Sequence, residues 1–194
     1  MGAPGFHRPK TVDEAVALLA ADDEAKPIAG GATLVAMLNA RVIEPPSLVS
    51  LAGIAELQGL SAVDGGVRIG AFTRHRDTAA STLLQGTLGV VRDAASQIAN
   101  ATVRNMGTIG GSISFADPGL DYPPALVAAG AVIEIAGPAR RRRVPARDFF
   151  VDWYVTALEP AEIVTALNKA LRVALADPTI RQRFAAVGVQ ASHQ

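Results

Sequence analysis

Arg104-Asn105-Met106-Gly107-Thr108-Ile109-Gly110-Gly111-Ser112-Ile113-Ser114 is the stretch on which the reading turns, and Pro27-Ile28-Ala29-Gly30-Gly31-Ala32-Thr33-Leu34-Val35 is its partner. Each sets paired glycines after a short apolar run and follows them with a hydroxyl residue. A backbone that must come close to a phosphate needs this composition. Glycine has no Cβ to hold a ligand off and reaches positive φ without strain. Successive amides can then converge on an anion, at a helix N-terminus or in a nest of N–H groups. Gly30-Gly31 alone is equally an ordinary turn. Two such stretches in one chain of 194 residues point to a two-sided clamp on a pyrophosphate, and so to a dinucleotide.

Working outward, Lys26 to Ala29 reads as a strand, and a helix opens at Ala32 or Thr33 and runs through Leu34, Val35, Met37 and Leu38. The first stretch is thus a strand–turn–helix unit. Upstream, Thr11-Val12-Asp13-Glu14 is a capping box, followed by Val12, Ala15, Val16, Leu18 and Leu19 at helical spacing as far as Asp22. Downstream, Pro45-Pro46 breaks the chain, Ser47 to Leu51 reads as a strand, and Ala52 to Leu57 as a short helix. Asp64-Gly65-Gly66 between two apolar runs is a hairpin signal. A helix is expected from Thr73 and another from Thr87 to Asn100.

After the second stretch, Pro124 suits the first position of a helix over Ala125 to Ala129, with Gly130 closing it. Ala131 to Ile135 reads as a strand. Arg140 to Arg143 precedes another strand at Val144, and Arg147 to Val151 reads as a helical turn. The pattern is α+β, in two lobes that each contribute one glycine stretch.

Composition narrows the function. Formal charge is balanced, so no global field favours nucleic acid or an anionic membrane. The four arginines at 140–143 lack interleaved aromatics and read as a solvated hairpin edge. No apolar run approaches the ~20 residues that span a bilayer. The N-terminus lacks a signal-peptide core, and Gly2 is a weak acylation cue because Phe6 stands where a hydroxyl residue belongs. The cytoplasm is the expected compartment. There is no cysteine, hence no thiolate metal site, no iron–sulfur ligation by this chain and no cysteinyl flavin link. The three histidines are scattered, so no metal site is expected. His75 reads as a surface helix residue.

The ordered motifs HRP-x-TVDEAVALL, AGGATLV-x-MLN, LVSL-x-GI-x-EL, VRIGA-x-T, IAN-x-x-VRNMGTIGGS-x-x-x-ADP-x-x-D, DFF and ALEP resemble the flavin-carrying medium subunit of molybdenum hydroxylases, the group of aerobic carbon monoxide dehydrogenase and xanthine dehydrogenase. The resemblance covers roughly residues 5 to 162. It implies the two-lobed FAD-binding fold of the vanillyl-alcohol oxidase type, with FAD extended between the lobes. It implies as partners a molybdopterin large subunit and a 2Fe-2S small subunit, and an electron acceptor such as NAD or quinone. By motif, Ala29, Gly30, Gly31, Ala32, Thr33 and Leu34 correspond to the first pyrophosphate loop. Thr108, Ile109, Gly110, Gly111 and Ser112 correspond to the second, with Thr108 as a hydroxyl donor and Ser112 where many relatives carry asparagine. Asp121 holds the acidic position that contacts the ribityl or ribose side, and it can equally cap the helix near Pro124. Arg104 either contacts phosphate or braces a loop.

The expected organisation is a first lobe over residues 1–58, a second over 59–162, and an atypical tail over 163–194. The family would continue into a strand and a C-terminal domain. From Leu167 this chain reads instead as an amphipathic helix, an Asp177-Pro178 turn and a second helix, similar to the C-terminal helices of tripartite tricarboxylate transporter substrate-binding proteins. Phe149, Phe150, Trp153 and Tyr154 form either core or a contact surface. No Ser–His–Asp, Cys–His or paired-carboxylate constellation is present, which suits a protein whose cofactor carries the chemistry. The expected function is an FAD-binding oxidoreductase subunit that relays electrons. The alternative is a catalytically degenerate interaction module, and a solute-binding fragment rests on the tail alone.

Overall fold

The computed structural model describes residues 4–170. The tail helices and Asp-Pro turn expected beyond Ala170, and Gly2, lie outside the described residues.

The chain begins with a small parallel sheet. β1 (Gly5–His7), β2 (Lys26–Ile28) and β3 (Ser47–Ser50) lie in the order β1-β3-β2. Parallel neighbours require crossovers, which α1 (Val12–Ala21) and α2 (Leu34–Asn39) supply. α1 forms where the capping box says it should. Glu14 N–H donates to Thr11 Oγ1 at 3.1 Å, while the Glu14 carboxylate accepts from Lys10 N–H at 2.8 Å, one residue before the cap. Its buried face is Val12, Ala15, Val16 and Leu19. α2 buries no residue fully although it is almost wholly apolar.

Two 3-10 turns, Leu51–Gly53 and Ala55–Leu57, stand where a single short helix was expected. The hairpin of β4 (Leu60–Val63) and β5 (Gly66–Gly70) turns at Asp64-Gly65, with Gly65 at φ +72. Then follow α3 (His75–Ala79), α4 (Gly89–Gln97), α5 (Ala101–Met106), α6 (Ile109–Phe115) and α7 (Tyr122–Ala128). The chain continues through β6 (Val132–Ala136), β7 (Arg141–Pro145), α8 (Ala146–Phe149), β8 (Phe150–Asp152), β9 (Val155–Thr156) and β10 (Ile163–Ala170).

Several expectations are corrected here. The long helix over Thr87 to Asn100 is a 3-10 turn followed by α4, and Asn100 opens a helix rather than ending one. Its Oδ1 accepts from Val103 N–H at 3.1 Å and so caps α5. α7 starts at Tyr122, three residues before the expected Ala125. Asp121 occupies its cap position in αR geometry without a side-chain cap bond, so the capping role fails. Gly130, at φ +63, closes α7 with Ala131 N–H on Leu126 O and its own N–H on Val127 O, a Schellman pair.

The largest correction concerns β10. The larger sheet is antiparallel in the order β4-β5-β10-β6-β7, so the last of the described strands is its centre. Leu167 pairs with Ile69 on one side and Ile133 on the other. The helix expected from Leu167 therefore does not begin there; strand pairing along both edges overrides a local helical period. The second sheet thus runs past residue 162 to Ala170, eight residues beyond the expected boundary at 162/163. Ile133, Ile135, Val144 and Leu167 belong to one buried core with residues of α4 and α7, and the sheet packs against α1, α6 and α8.

The arginines at the β7 edge are matched one by one. Arg141 bonds Glu56 and Asp13, Arg143 bonds Glu134, and Arg142 bonds Glu162 and the Ala157 carbonyl. Arg141 and Arg143 are exposed at an outer strand, as the sheet-edge reading expects, whereas Arg142 is half-buried against Glu162.

Candidate functional site

The first glycine stretch leaves β2, turns at Gly31 with φ +80, and enters α2 with Val35 N–H on Gly31 O at 2.9 Å. Among the described residues, the amides of Gly30, Gly31, Ala32, Thr33 and Leu34 donate to no protein acceptor. Five consecutive unpaired N–H groups are costly unless water or a ligand accepts them. Gly30 is required for a second reason: a Cβ there would overlap the Met106 carbonyl at the end of α5.

The second stretch differs in kind. No strand precedes it, and the two glycines lie inside the first turn of α6. Thr108 is the N-cap, its Oγ1 accepting from Gly111 N–H at 3.2 Å. Ile109 N–H goes to Thr73 O at 3.0 Å, Gly110 N–H to Ala71 O at 2.8 Å and Ser112 N–H to Thr108 O at 3.0 Å. The amides of Ile109, Gly110, Gly111 and Ser112 are therefore all spent inside the protein. Gly110 is a glycine because a Cβ would sit 2.6 Å from Ala71 Cβ and 2.7 Å from its carbonyl oxygen. The expectation of an open amide nest at Gly110-Gly111 is corrected accordingly.

What α6 does offer is side chains and closeness. Ser112 Oγ is buried and has no hydrogen-bond partner among the described residues. Thr108 Oγ1 accepts one bond and keeps its own proton for another. A Cβ on Gly111 would lie 3.8 Å from Ala29 Cβ, so the two stretches nearly touch.

Between them lies a cleft of about 430 Å³. All six of Ala29, Gly30, Gly31, Ala32, Thr33 and Leu34 line it, together with Thr108, Gly110, Gly111 and Ser112. Ile109 does not; it is a fully buried core residue. Asp121 is exposed and outside the lining, although its neighbour Leu120 contributes to the wall. Arg104 braces a loop, donating to the Ile98 and Ala99 carbonyls at 2.8 and 3.2 Å. The far wall includes Leu158, Glu162, Ile163 and Val164. Arg142 holds Glu162 in place, and its hydrogen bond keeps that carboxyl below the usual carboxylate range.

A model of the FAD binding domain in molybdopterin dehydrogenase matches residues 2–168. The chain belongs to this family. It is 39% identical over 168 residues to the carbon monoxide dehydrogenase medium chain of Afipia carboxidovorans, covering 86% of this chain and 58% of the relative. In three dimensions it resembles the carbon monoxide dehydrogenase of Hydrogenophaga pseudoflava, in a form lacking the Mo-pyranopterin moiety of the molybdenum cofactor. There the TM-score is 0.83 at 40% identity, over 86% of this chain and 58% of that one. Quinoline 2-oxidoreductase from Pseudomonas putida 86 also gives 0.83, at 31% identity, over 89% and 60%. The chain therefore spans under two thirds of the length of these relatives.

As an FAD-binding domain of this family, the protein has the two-lobed fold and the cofactor expected from its motifs. The residues present fit FAD. Five open amides match an anion, a buried hydroxyl at Ser112 has no partner among the described residues, and most of the remaining lining is apolar.

His75 is the residue that sequence reasoning misplaced. It is 4% exposed and lines the cleft. Burial pushes its pKa down to about 4. Its charged neighbours Arg74 and Arg76 suggested a surface; the signal that could have found it is Gly107, whose missing Cβ leaves room for the imidazole edge. The aromatic cluster divides. Phe149 is core, whereas Trp153 is 74% exposed at the β8–β9 turn. Among the described residues no helix is long and apolar enough to cross a membrane.

Proposed function

We propose that the open amides of residues 30–34 receive the pyrophosphate of FAD, and that Thr108 and Ser112 close over it from α6 with hydroxyl donors. The supporting observation is the asymmetry between the walls: one offers unpaired main-chain donors, the other side-chain hydroxyls. Gly30 and Gly111 let the two walls approach. Glu162, fixed by Arg142, shapes the far end of the cleft. Asp121, outside the lining, is proposed to reach the ribityl or ribose arm only if the loop before α7 closes on the ligand.

When bound, FAD supplies reversible two-electron and one-electron transfer. The protein's activity in this reading is that of an oxidoreductase subunit, relaying electrons from a molybdopterin large subunit and a 2Fe-2S small subunit to an acceptor such as NAD or quinone, in the cytoplasm. The names of its relatives, a dehydrogenase medium chain and a carbon monoxide dehydrogenase with a molybdenum cofactor, support the part of that reading that makes it an oxidoreductase subunit beside a molybdenum centre.

The test is uptake of FAD by the purified full chain after removal of free flavin. A bound-flavin visible spectrum is expected; a folded, colourless protein that takes up no added FAD rejects the reading. A second reading, a scaffold that binds partners without turnover, is favoured by the exposed β8–β9 turn with Trp153 and Tyr154. It predicts association with the partner subunits without reduction of the flavin by them.

A further inference from the structure

We infer that Arg142 is a positioning residue for the cofactor: acting through Glu162, it sets residues 157–162 as a wall against one planar ring of the bound dinucleotide and cancels the carboxylate charge in that wall. This rests on the cofactor reading above. Arg142 stands behind the lining of the cleft, whereas Leu158, Glu162, Ile163 and Val164 belong to it. Arg142 Nε donates to Glu162 Oε1 at 2.8 Å and Nη2 to Oε2 at 2.5 Å, a bidentate pair. The Glu162 side chain is only 5% exposed. Nη2 also donates to the Ala157 carbonyl, and Glu162 Oε2 also accepts from Glu159 N–H at 2.8 Å. One guanidinium on β7 thus ties both ends of the connection between β9 and β10. Gly137, in the turn between β6 and β7, makes room for it: a Cβ there would sit 2.8 Å from Glu162 Cγ.

The connection spends its polar groups on itself. Ala157 N–H goes to Phe149 O at 2.8 Å, Leu158 N–H to Thr156 Oγ1 at 3.3 Å and Glu162 N–H to Glu159 O at 3.1 Å. Pro160 has no N–H. Ala161 turns at φ +61, a conformation that costs a non-glycine residue and persists where its surroundings fix it. Both oxygens of Glu162 are occupied as well. This wall therefore differs from residues 30–34: it meets a ligand with the side chains of Leu158, Ile163 and Val164 rather than with open main-chain donors.

The pyrophosphate and sugars of a dinucleotide ask for hydrogen bonds. Its isoalloxazine and adenine rings present flat faces that gain from close contact. The wall suits a ring face. The hydrogen bond from Arg142 keeps the Glu162 carboxyl below the usual carboxylate range, so the pair is ionised and neutral in sum at pH 7. Removing Arg142 alone would leave a bare carboxylate beside the ligand and free the connection. Removing both charges disturbs such a pair far less than removing one.

FAD titrations of the full chain test the inference. Arg142→Gln should weaken FAD about tenfold, and the double variant Arg142→Gln/Glu162→Gln should recover most of the loss. Titration with FMN and with ADP assigns the ring: a loss confined to FMN places the isoalloxazine on the wall, and a loss confined to ADP places the adenine there. Leu158→Ala, which keeps the ion pair, should weaken the same arm. Equal losses on both arms, or a double variant as weak as Arg142→Gln, would reduce the pair to general packing and overturn the inference. Wild type that takes up no FAD fails the cofactor reading itself. Wild type, Arg142→Gln and Leu158→Ala binding FAD equally fails only the role of Arg142. If Arg142→Gln does not fold, Leu158→Ala and the double variant decide: unchanged affinity in Leu158→Ala overturns the inference.

Discussion

The two glycine stretches share a sequence signature and differ in physics. Residues 30–34 present main-chain N–H groups with no acceptor among the described residues, whereas residues 109–112 give theirs to Thr73, Ala71 and Thr108. In the first, glycine serves a positive φ and a close contact with the end of α5. In the second, Gly110 lets α6 pack on Ala71 in the turn after β5. A Gly-Gly pair therefore marks close approach, and what approaches must be read from the hydrogen bonds. The second stretch binds its own lobe together and lends the cleft two hydroxyls.

Gly110→Val breaks the comparison most severely. Its methyls would meet Ala71 main-chain atoms, so the FAD-free protein should lose about 3 kcal/mol or more of stability, read by urea unfolding without cofactor. Unchanged stability with lost FAD binding would make Gly110 a ligand contact after all. The next effect lies in acid. The unfolded His75 takes its proton near pH 6.5, but the fold refuses it until about pH 4. Stability from this group is thus constant above pH 6.5 and falls as pH drops toward 4, by on the order of 3 kcal/mol. Comparing wild type with His75→Phe across that window isolates the contribution; parallel curves would show that His75 is not buried on the closed side.

Gly31→Ala probes the open side. At φ +80 an alanine is strained by about 1 kcal/mol, and a redirected loop should weaken FAD about tenfold in a fluorescence titration. A normal affinity would deny the loop its role. Ser112→Ala is the mildest and most selective change. It deletes a buried hydroxyl that has no partner, so FAD-free stability should hold or rise slightly, while FAD affinity falls several-fold, corresponding to about 1 kcal/mol. A drop in FAD-free stability would mean that the hydroxyl already has a partner in the protein.

Local chemistry was legible before the structure. The capping box at Thr11, the hairpin at Asp64-Gly65, the strand–turn–helix around Gly30 and the closing Gly130 each act within a few residues. Motif order was legible as well, and with it the fold and FAD. Long-range partners were not. The acceptors for the Gly110 and Ile109 amides lie nearly forty residues upstream at Ala71 and Thr73, so no window around the glycines could show them. Asn100 read as an ending because α5 is only six residues long. His75 looked exposed between two arginines because its cover, Tyr122, arrives from a later helix. β10 carried a helical period locally, and only its two flanking strands make it extended.

The position of β10 also sets how the chain can reach this state. Among the described strands of the larger sheet the central one is synthesised after all the others, so β5 and β6 must wait with open edges until residues 163–170 arrive. Pairings of such sequence separation close slowly, and bare edges invite association with other chains. The nascent chain is thus vulnerable just before residues 163–170 emerge, when the apolar faces of β5 and β6 exist but the strand that joins the two halves of the sheet does not.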